Sequence, residues 1–317
     1  MEPVMDKCLF PLSRTVSSDG LNHKVLFQCG DGKTVEAALM LFLNPGRRPR
    51  RTVCISCQVG CPIGCPFCAT GRQPLERSLT ADELVSQVLY FENSFRPSAA
   101  TATPRERRWL TNVVFMGMGE PLSNFENLRQ AIGFLGSPKG LGMGRRQLMV
   151  STAGLAPQIV RFGKENIQAE LAVSLHAADD HLRDALVPVN TRYPLQSVIA
   201  ACREFIRLTG RHIYFEYALF AGINDSIADA DKLIQLIGGM DCPVNLIFGN
   251  QVGSGGYQPS TRTVAFDFQK RLIAGGIRTM LRASRGADIE AGCGQLRSRW
   301  LSKSGDPAHH FSSLIES

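Results

Sequence analysis

Hydrophobic and polar residues alternate through positions 24–43, on either side of the turn Gly30-Asp31-Gly32. A period of two is typical of strands that bury one face, and a turn of this composition joins two such runs as a β-hairpin. The pattern therefore predicts a β-hairpin near the start of the chain.

Beyond residue 50, short apolar runs alternate with segments of helical periodicity. One helix is predicted to begin after Thr80, because Glu83 follows it at the spacing of a capping box. The other predicted helices are Phe125–Leu135, Ala156–Gly163, Leu195–Leu208, Ser226–Ile237 and Val264–Ala274. The predicted strands are Thr52–Ser56, Asn112–Met116, Gln147–Ser151, Leu171–Ser174, Ile213–Tyr217, Val244–Phe248 and Thr279–Arg282.

Strand–helix alternation of this kind predicts parallel strands with helices on the outside. We therefore expect an α/β fold, a partial barrel of the (βα)6 type with an N-terminal β-hairpin extension. The expected boundaries are 1–50 for the extension, 51–300 for the barrel and 301–317 for a C-terminal tail. The functional groups of such a barrel lie at the carboxyl ends of its strands.

Composition adds two constraints to this picture. The net charge of +7 and the pI of about 9.0 favour a polyanionic partner such as RNA. The N-terminus has no apolar signal-peptide core, and the longest apolar run, Ala37–Leu43, is too short to span a bilayer. We therefore expect a cytoplasmic location, no membrane partner, and cysteines that are reduced, metal-bound or catalytic.

Three cysteines, Cys61, Cys65 and Cys68, have the spacing C-x3-C-x2-C in a Gly- and Pro-rich loop directly after the first barrel strand. Three thiolates can ligate three irons of a 4Fe-4S cluster and leave the fourth iron open. An open iron can bind and reduce S-adenosyl-L-methionine (SAM), and this spacing is the signature of radical SAM enzymes. The predicted cofactors are therefore a 4Fe-4S cluster and SAM.

Two other uses of these cysteines compete with the cluster. Cys54 and Cys57 form a C-x2-C-x7-C-x2-C series with Cys65 and Cys68, which resembles a structural zinc site. The connecting segment is shorter than that of a usual zinc ribbon, and Cys61 is left over. A disulfide framework is disfavoured because five cysteines within fifteen residues cannot pair without strain.

Small polar residues end several of the predicted strands. Glu120, in Gly117-Met118-Gly119-Glu120-Pro121, can accept a hydrogen bond from an ammonium group, and the glycines admit a ligand close to the backbone. Other polar residues end the third, fourth and sixth strands, at the rim where the ribose and carboxylate groups of a cofactor would bind. They are Ser151, Ser174, His176 and Asn250.

Cys293 lies in a run of small residues near the C-terminus, Gly286 to Leu296. Its sulfur is either approachable on a movable loop or buried as a small hydrophobic side chain. The segment by itself leaves both interpretations open.

In family order between about residues 33 and 300, the chain resembles the RlmN/Cfr radical SAM RNA methyltransferases. The matching motifs are Cys54-Ile-Ser-Cys-Gln-Val-Gly-Cys61, the cysteine loop, Phe-Met-Gly-Met-Gly-Glu-Pro, Ser-Thr-Ala-Gly, Ala-Val-Ser-Leu-His-Ala, Val-Pro-Val-Asn, Gly-Ile-Asn-Asp-Ser, Val-Asn-Leu-Ile and Cys-Gly-Gln-Leu.

This resemblance implies that an adenine carbon in RNA is methylated through an S-methylcysteine at Cys293. One SAM would methylate the Cys293 thiolate, and a second would give a 5′-deoxyadenosyl radical that removes hydrogen from the new methyl group. The carbon radical would add to adenine. Cys54 would then release the RNA by forming a transient disulfide with Cys293, and Glu36 matches the family's proton acceptor.

The resemblance also implies the ligands and partners. Cys61, Cys65 and Cys68 would bind the cluster. The implied substrate is an adenine, at carbon 2 rather than carbon 8, in 23S rRNA, with tRNA as a second candidate. A flavodoxin or ferredoxin would donate electrons, and the protein would be a monomer. The implied SAM contacts are Gly119, Glu120, Ser151, Ser174, Leu175, His176 and Asn250.

The chain departs from the family in two places. Cys57 stands where many relatives have Ser or Thr, and we expect it to be a bystander. The chain also begins close to the hairpin, whereas relatives carry a longer N-terminal domain that helps to hold RNA. Two alternatives follow: the same cysteine chemistry on a substrate other than RNA, or a metal-stabilised RNA-binding module without catalysis.

Overall fold

The chain was analysed as a computed structural model, which describes residues 8–43, 45–46, 48–96, 108–249, 256–282, 289 and 295–304. Its strands are β1 (Leu9–Val16), β2 (Asn22–Cys29), β3 (Thr34–Phe42), β4 (Arg50–Cys54), β5 (Gln58–Val59), β6 (Arg77–Ser78), β7 (Asn112–Phe115), β8 (Leu148–Thr152), β9 (Glu170–Ser174), β10 (Tyr214–Leu219), β11 (Val244–Phe248) and β12 (Thr279–Arg282). Its α-helices are α1 (Ala81–Phe95), α2 (Phe125–Gly136), α3 (Ala156–Lys164), α4 (Asp180–Leu186), α5 (Leu195–Thr209), α6 (Ile227–Ile237), α7 (Arg262–Ala274) and α8 (Gln295–Ser304).

Ten of these strands form one sheet, in the order β1-β2-β3-β4-β7-β8-β9-β10-β11-β12. Strands β1 to β4 are antiparallel, and every pairing from β4 to β12 is parallel. The short β5 and β6 pair separately. The hairpin strands are thus hydrogen-bonded directly to the first parallel strand, so that they share its sheet.

The predicted α/β architecture is confirmed, with seven parallel strands and a helix after most of them. The capping box of α1 is present: the Glu83 N–H donates to Thr80 Oγ1 over 3.2 Å, and the Thr80 N–H donates to Glu83 Oε2 over 2.9 Å.

Five of these strands and α-helices escaped prediction: β1, α4, α8, and the two-residue strands β5 and β6, which are too short to show an alternation. Strand β1 contains Pro11 and an irregularity in its pairing between Pro11 and Ser13, which breaks the alternation. The short α4 has little room for a helical period. Helix α8 overlaps the predicted boundary between barrel and tail at residue 301. Residues 305–317 lie outside the described residues.

The sheet has one buried face and one more open face. Side chains toward the helices belong to a single apolar core, which includes residues of the hairpin as well as of the barrel strands. Side chains on the opposite, inner face are less buried at several positions, among them Cys54, Ser151 and Ser174. Six neighbouring strands, β4 and β7 to β11, contribute the core residues Val53, Val113, Val150, Val173, Phe215 and Leu246.

None of the helices within the described ranges combines the length and the apolar character that a bilayer span requires.

Candidate active site

The three predicted cluster ligands lie in residues 60–76, between β5 and β6, which we call the cluster loop. Two glycines allow this loop to fold tightly. Gly60 has φ = +80°, and a Cβ on it would lie 1.9 Å from the Pro74 carbonyl oxygen. A Cβ on Gly71 would lie 2.4 Å from the Cys65 carbonyl oxygen. The fold of the loop therefore depends on glycine at both positions.

Cys61, Cys65 and Cys68 are half-buried free thiols. Burial raises the pKa of Cys61 to about 12, and burial also raises the pKa of Cys65. The charge of Cys68 adds to both increases, which places the three sulfurs near one another. The nearby guanidinium of Arg183 acts in the opposite direction on Cys65.

This donor set fits a 4Fe-4S cluster. Thiols release their protons when they bind a metal, and three thiolates can each ligate one iron of a cubane cluster. Among the described residues, no three His, Cys, Asp or Glu side chains surround one point as a single metal ion would require. Thiolates on different irons of a cluster do not need to converge on one point.

The glycines after β7 serve the packing of the protein itself. A Cβ on Gly117 would lie 2.6 Å from the Ile55 carbonyl oxygen, and one on Gly119 would lie 2.6 Å from the Gln58 Cβ. Gly119 also has φ = +96°. We expected these glycines to bring the backbone close to a ligand. Ile55 and Gln58 fill the side on which a side chain would project, so a ligand can meet these two residues only at their backbone.

Glu120 is 2% exposed and links two strand ends. Its Oε1 accepts from the Leu122 N–H over 2.9 Å, and its Oε2 accepts from the Ala153 N–H over 2.7 Å. Burial raises the pKa of its carboxyl group to about 7, although these hydrogen bonds favour the anion. A ligand ammonium beside Glu120 would restore the ionised form.

Ser151 and Ser174 end the neighbouring strands β8 and β9, and their hydroxyl oxygens are 3.4 Å apart. The structure thus brings together two of the predicted SAM contacts on the inner face. Leu175 differs from them: its side chain is fully buried in the core, its N–H donates to the Glu216 carbonyl, and its own carbonyl accepts from Arg183.

His176 has a left-handed backbone with φ = +59°, which is rare for a residue other than glycine. Its Nδ1 accepts from the Ala218 N–H over 3.0 Å, so the ring proton is on Nε2. Burial, and secondly the charge of Arg183, lower the pKa of His176 to about 3. His176 is therefore a neutral donor, and its ring packs edge-on against Phe67 of the cluster loop.

Two buried side chains that sequence reasoning missed hold the segment 174–176. Arg183 Nε donates to the Leu175 carbonyl over 3.1 Å, and its Nη2 donates to the Ser174 carbonyl over 3.1 Å and to the Ala153 carbonyl over 2.7 Å. Asn224 Nδ2 donates to the His176 carbonyl over 2.7 Å and to the Ala218 carbonyl over 2.7 Å.

Each carbonyl of three successive residues is thus fixed by a side chain with almost no exposed surface. These contacts stabilise the left-handed conformation of His176, because the surrounding donors define its carbonyl direction. The motif Gly-Ile-Asn-Asp-Ser contains Asn224, and that motif was the one signal in the sequence that pointed to it.

Cys54 and Glu36 lie on adjacent strands and on the same face of the sheet. Cys54 ends β4 opposite Ala38 of β3, two residues from Glu36. The Cys54 thiol is half-buried, whereas Cys57 is 1% exposed and part of the core. Two predicted site residues lie outside the described residues: Cys293, the disulfide partner of Cys54, and Asn250, a SAM contact. All nine described cysteines are free thiols.

Glu36 is 3% exposed and already engaged. Its Oε1 lies 2.8 Å from Lys24 Nζ, and its Oε2 accepts from the Arg297 N–H over 3.0 Å. The carboxylate therefore caps the first turn of α8.

Comparison with known proteins identifies the family of the chain. A profile of the Radical SAM superfamily matches residues 55–234. "Probable dual-specificity RNA methyltransferase RlmN" of Moorella thermoacetica is 44% identical over 286 residues, covering 90% of this chain and 78% of that protein. "Ribosomal RNA large subunit methyltransferase N" of Nitrosopumilus maritimus is 38% identical, covering 90% and 80%.

Among solved structures, a radical SAM methyltransferase from Sphaerobacter thermophilus superposes with a TM-score of 0.84 at 44% identity, covering 91% of this chain and 81% of that one. The fold, the cysteine loop and these matches define a radical SAM enzyme. Within that superfamily, the chain belongs to the RlmN family of RNA methyltransferases, whose cofactors are a 4Fe-4S cluster and SAM.

We predict that anaerobically reconstituted protein holds about four iron and four sulfide ions per chain. Cys65→Ala should lose the cluster and its brown absorption, because one of three thiolate ligands is removed. Cys8→Ala is the matched control, because it removes a half-buried thiol that is distant in sequence from the cluster loop. Zinc without sulfide, or a full cluster in Cys65→Ala, would contradict the assignment.

Asn224→Asp should lower the free energy of unfolding by about 2 kcal/mol, because a carboxylate oxygen would replace the donor to two carbonyls. It should also weaken SAM binding, since the segment 174–176 loses an anchor. Urea unfolding and equilibrium dialysis measure the two effects. Asn166→Asp, at an exposed position, is the control. Equal stability and SAM binding in the two variants would show that Asn224 does not hold the segment 174–176.

Glu120→Gln should change the pH dependence of stability. Between pH 4.5, the ordinary pKa of the carboxyl group, and about pH 7, Glu120 holds a proton in the folded protein that it has lost in the unfolded chain. The burial of Glu120 therefore lowers the stability of the protein as the pH rises through this range. The variant should remove this decline, which amounts to about 1.4 kcal/mol per pH unit. The measurement is the free energy of urea unfolding of cluster-free protein at several pH values.

The matched control is Glu126→Gln at an exposed position of α2, because hydrogen bonds from Arg161 and Arg129 lower the pKa of the Glu126 carboxyl. Its stability curve should run parallel to that of the unchanged protein between pH 5 and 8. A parallel curve for Glu120→Gln would show that Glu120 is ionised throughout this range.

Proposed function

We propose that this enzyme methylates an adenine carbon of large-subunit ribosomal RNA through an S-methyl group on Cys293. Carbon 2 is the proposed position, and tRNA is the second substrate. The names of the relatives support RNA as the substrate, since one is a ribosomal RNA large subunit methyltransferase and another a dual-specificity RNA methyltransferase. An adenine must leave its stack to reach the inner face of the sheet.

The observation that carries the proposal is the position of Cys54. Its half-buried thiol lies at the end of β4, on the inner face that also bears Ser151 and Ser174, and the cluster loop begins six residues later, after β5. Cys57, three residues later, is sealed in the core, and burial raises its pKa. Only the first of these two thiols is therefore suited to attack another sulfur.

Cys61, Cys65 and Cys68 would hold the cluster, which with SAM supplies the 5′-deoxyadenosyl radical. Glu120 would accept from the SAM ammonium, and Nε2 of His176 would donate to an oxygen of the cofactor. Gly119, Ser151, Ser174, Leu175 and Asn250 complete the proposed SAM contacts.

Cys54 and Cys293 would complete the reaction at the RNA. After the methylene carbon joins Cys293 to adenine, the Cys54 thiolate would attack the Cys293 sulfur. A disulfide would form as the sulfur–carbon bond breaks, and the electron pair of that bond would take up a proton to complete the new methyl group. The unpaired electron that the radical addition leaves on the adduct would return to the redox centre that supplied it. Glu36 would take the proton that leaves the adenine carbon.

Partners follow from the same chemistry. RNA is the polyanion that the net charge of +7 favours, and a flavodoxin- or ferredoxin-type donor would supply electrons to the cluster. We place the enzyme in the cytoplasm, where its RNA substrate is made and where thiols stay reduced. We also propose that it acts as a monomer.

Cys54→Ala should trap a covalent RNA–protein adduct during reaction with SAM and reductant, because the resolving thiol is gone. Cys293→Ala should give neither methylation nor adduct. Cys57→Ala is the matched control and should methylate RNA without accumulating adduct. Denaturing gels detect the adduct, and mass spectrometry of digested nucleosides identifies the methylated carbon.

Normal turnover by Cys54→Ala would refute the resolving role. Methylation by Cys293→Ala would refute the S-methylcysteine route as a whole. An unchanged nucleoside profile, obtained with unmodified protein that holds its cluster, would favour a substrate other than RNA.

A further inference from the structure

Arg297, in the first turn of α8, is only 4% exposed, although the neighbouring Arg299 is exposed. Burial of a guanidinium group is costly unless its donors all find acceptors. The position of Arg297 is therefore set by specific contacts rather than by solvation.

Those contacts reach two separate parts of the chain. Arg297 Nε donates to Thr34 Oγ1 of β3 over 3.2 Å, and the Arg297 N–H donates to Glu36 of the same strand. The other two guanidinium nitrogens reach the cluster loop: Nη1 donates to Gln73 Oε1, and Nη2 donates to Glu76 Oε1 over 2.6 Å.

Gln73 extends this contact toward the cluster ligands. The side-chain Nε2 of Gln73 donates to Ser298 Oγ of α8 over 2.7 Å, and the backbone carbonyl of Gln73 accepts from the Cys61 N–H over 3.3 Å. A continuous path of hydrogen bonds therefore runs from α8 to the backbone of a predicted cluster ligand.

The sequence gives this path its importance. Cys293 is separated from α8 by Gly294 alone. Two residues span at most about 7 Å, so the anchoring of the first turn of α8 limits how far Cys293 can travel. The same anchor fixes the loop that bears the cluster ligands.

We propose that Arg297 is a positioning residue that couples the cluster loop to the helix that follows Cys293. The inference rests on the proposed function for the roles of Cys293 and the cluster loop. The guanidinium group of Arg297 sets the distance between the cluster loop and Cys293, whereas Glu36 and Thr34 fix α8 to the hairpin.

The first test needs neither cluster, SAM nor RNA. Hydrogen exchange is measured in cluster-free Arg297→Gln and in the control Arg299→Gln, which removes one charge from an exposed position of the same helix. Arg297→Gln should speed exchange by about tenfold or more in both α8 and residues 69–76, since both lose a charged hydrogen bond. Arg299→Gln should leave residues 69–76 unchanged.

Faster exchange in α8 alone would overturn the coupling and leave Arg297 as a local anchor. Arg297→Lys keeps the charge without the fork and serves as the second variant if Arg297→Gln does not fold. It should also speed exchange in residues 69–76, and unchanged exchange there would equally overturn the proposal.

The second test uses cluster-loaded enzyme with RNA. Misplacement of Cys293 should leave SAM cleavage running without methyl transfer, so the ratio of 5′-deoxyadenosine to methylated adenine should rise about tenfold in Arg297→Gln. The ratio in Arg299→Gln should equal that of the unchanged protein. An unchanged ratio in Arg297→Gln would overturn the positioning role.

The two tests separate the inference from the proposed function. If the unchanged protein does not methylate RNA, the proposed function fails, while coupled exchange in α8 and the loop would still stand. If the unchanged protein methylates RNA but exchange is uncoupled, the inference alone fails.

Discussion

The geometry of the candidate site depends on one buried guanidinium group. Arg183 has no exposed surface and donates to the carbonyls of Ala153, Ser174 and Leu175 and to Asn190 Oδ1. Burial lowers its pKa to about 10, which still leaves it charged at neutral pH. A buried charge must keep all its acceptors, so the ends of β8 and β9 cannot move apart without a large loss of stability.

Two further buried groups extend this constraint around the rim. Glu120 joins the end of β7 to Ala153 after β8, and Asn224 joins His176 after β9 to Ala218 of β10. Four neighbouring strand ends are thus tied by side chains rather than by the sheet ladder alone. Such preorganisation keeps polar groups in fixed directions before a cofactor binds, which reduces the cost of ordering them during the reaction.

Much of this fold can be read from the sequence, because the parallel strands are short apolar runs and their helices begin at recognisable caps. Thr80 and Glu83 are an example, since a capping box is a local feature. Arg183 and Asn224 could not be found in the same way. One acceptor of each is distant in sequence, the Ala153 carbonyl for Arg183 and the His176 carbonyl for Asn224, and nothing in a local pattern marks an arginine that folding will bury.

Glu36 shows how the same limit affects the chemistry. The sequence offers a glutamate in a strand, but only the structure shows that its carboxylate pairs with buried Lys24 and caps α8. Each carboxylate oxygen of Glu36 therefore has a structural partner, one on β2 and one on α8. The side chain of Arg297 is held to the same strand by Thr34, two residues from Glu36. A change at Glu36 would therefore act on the start of the helix that follows Cys293.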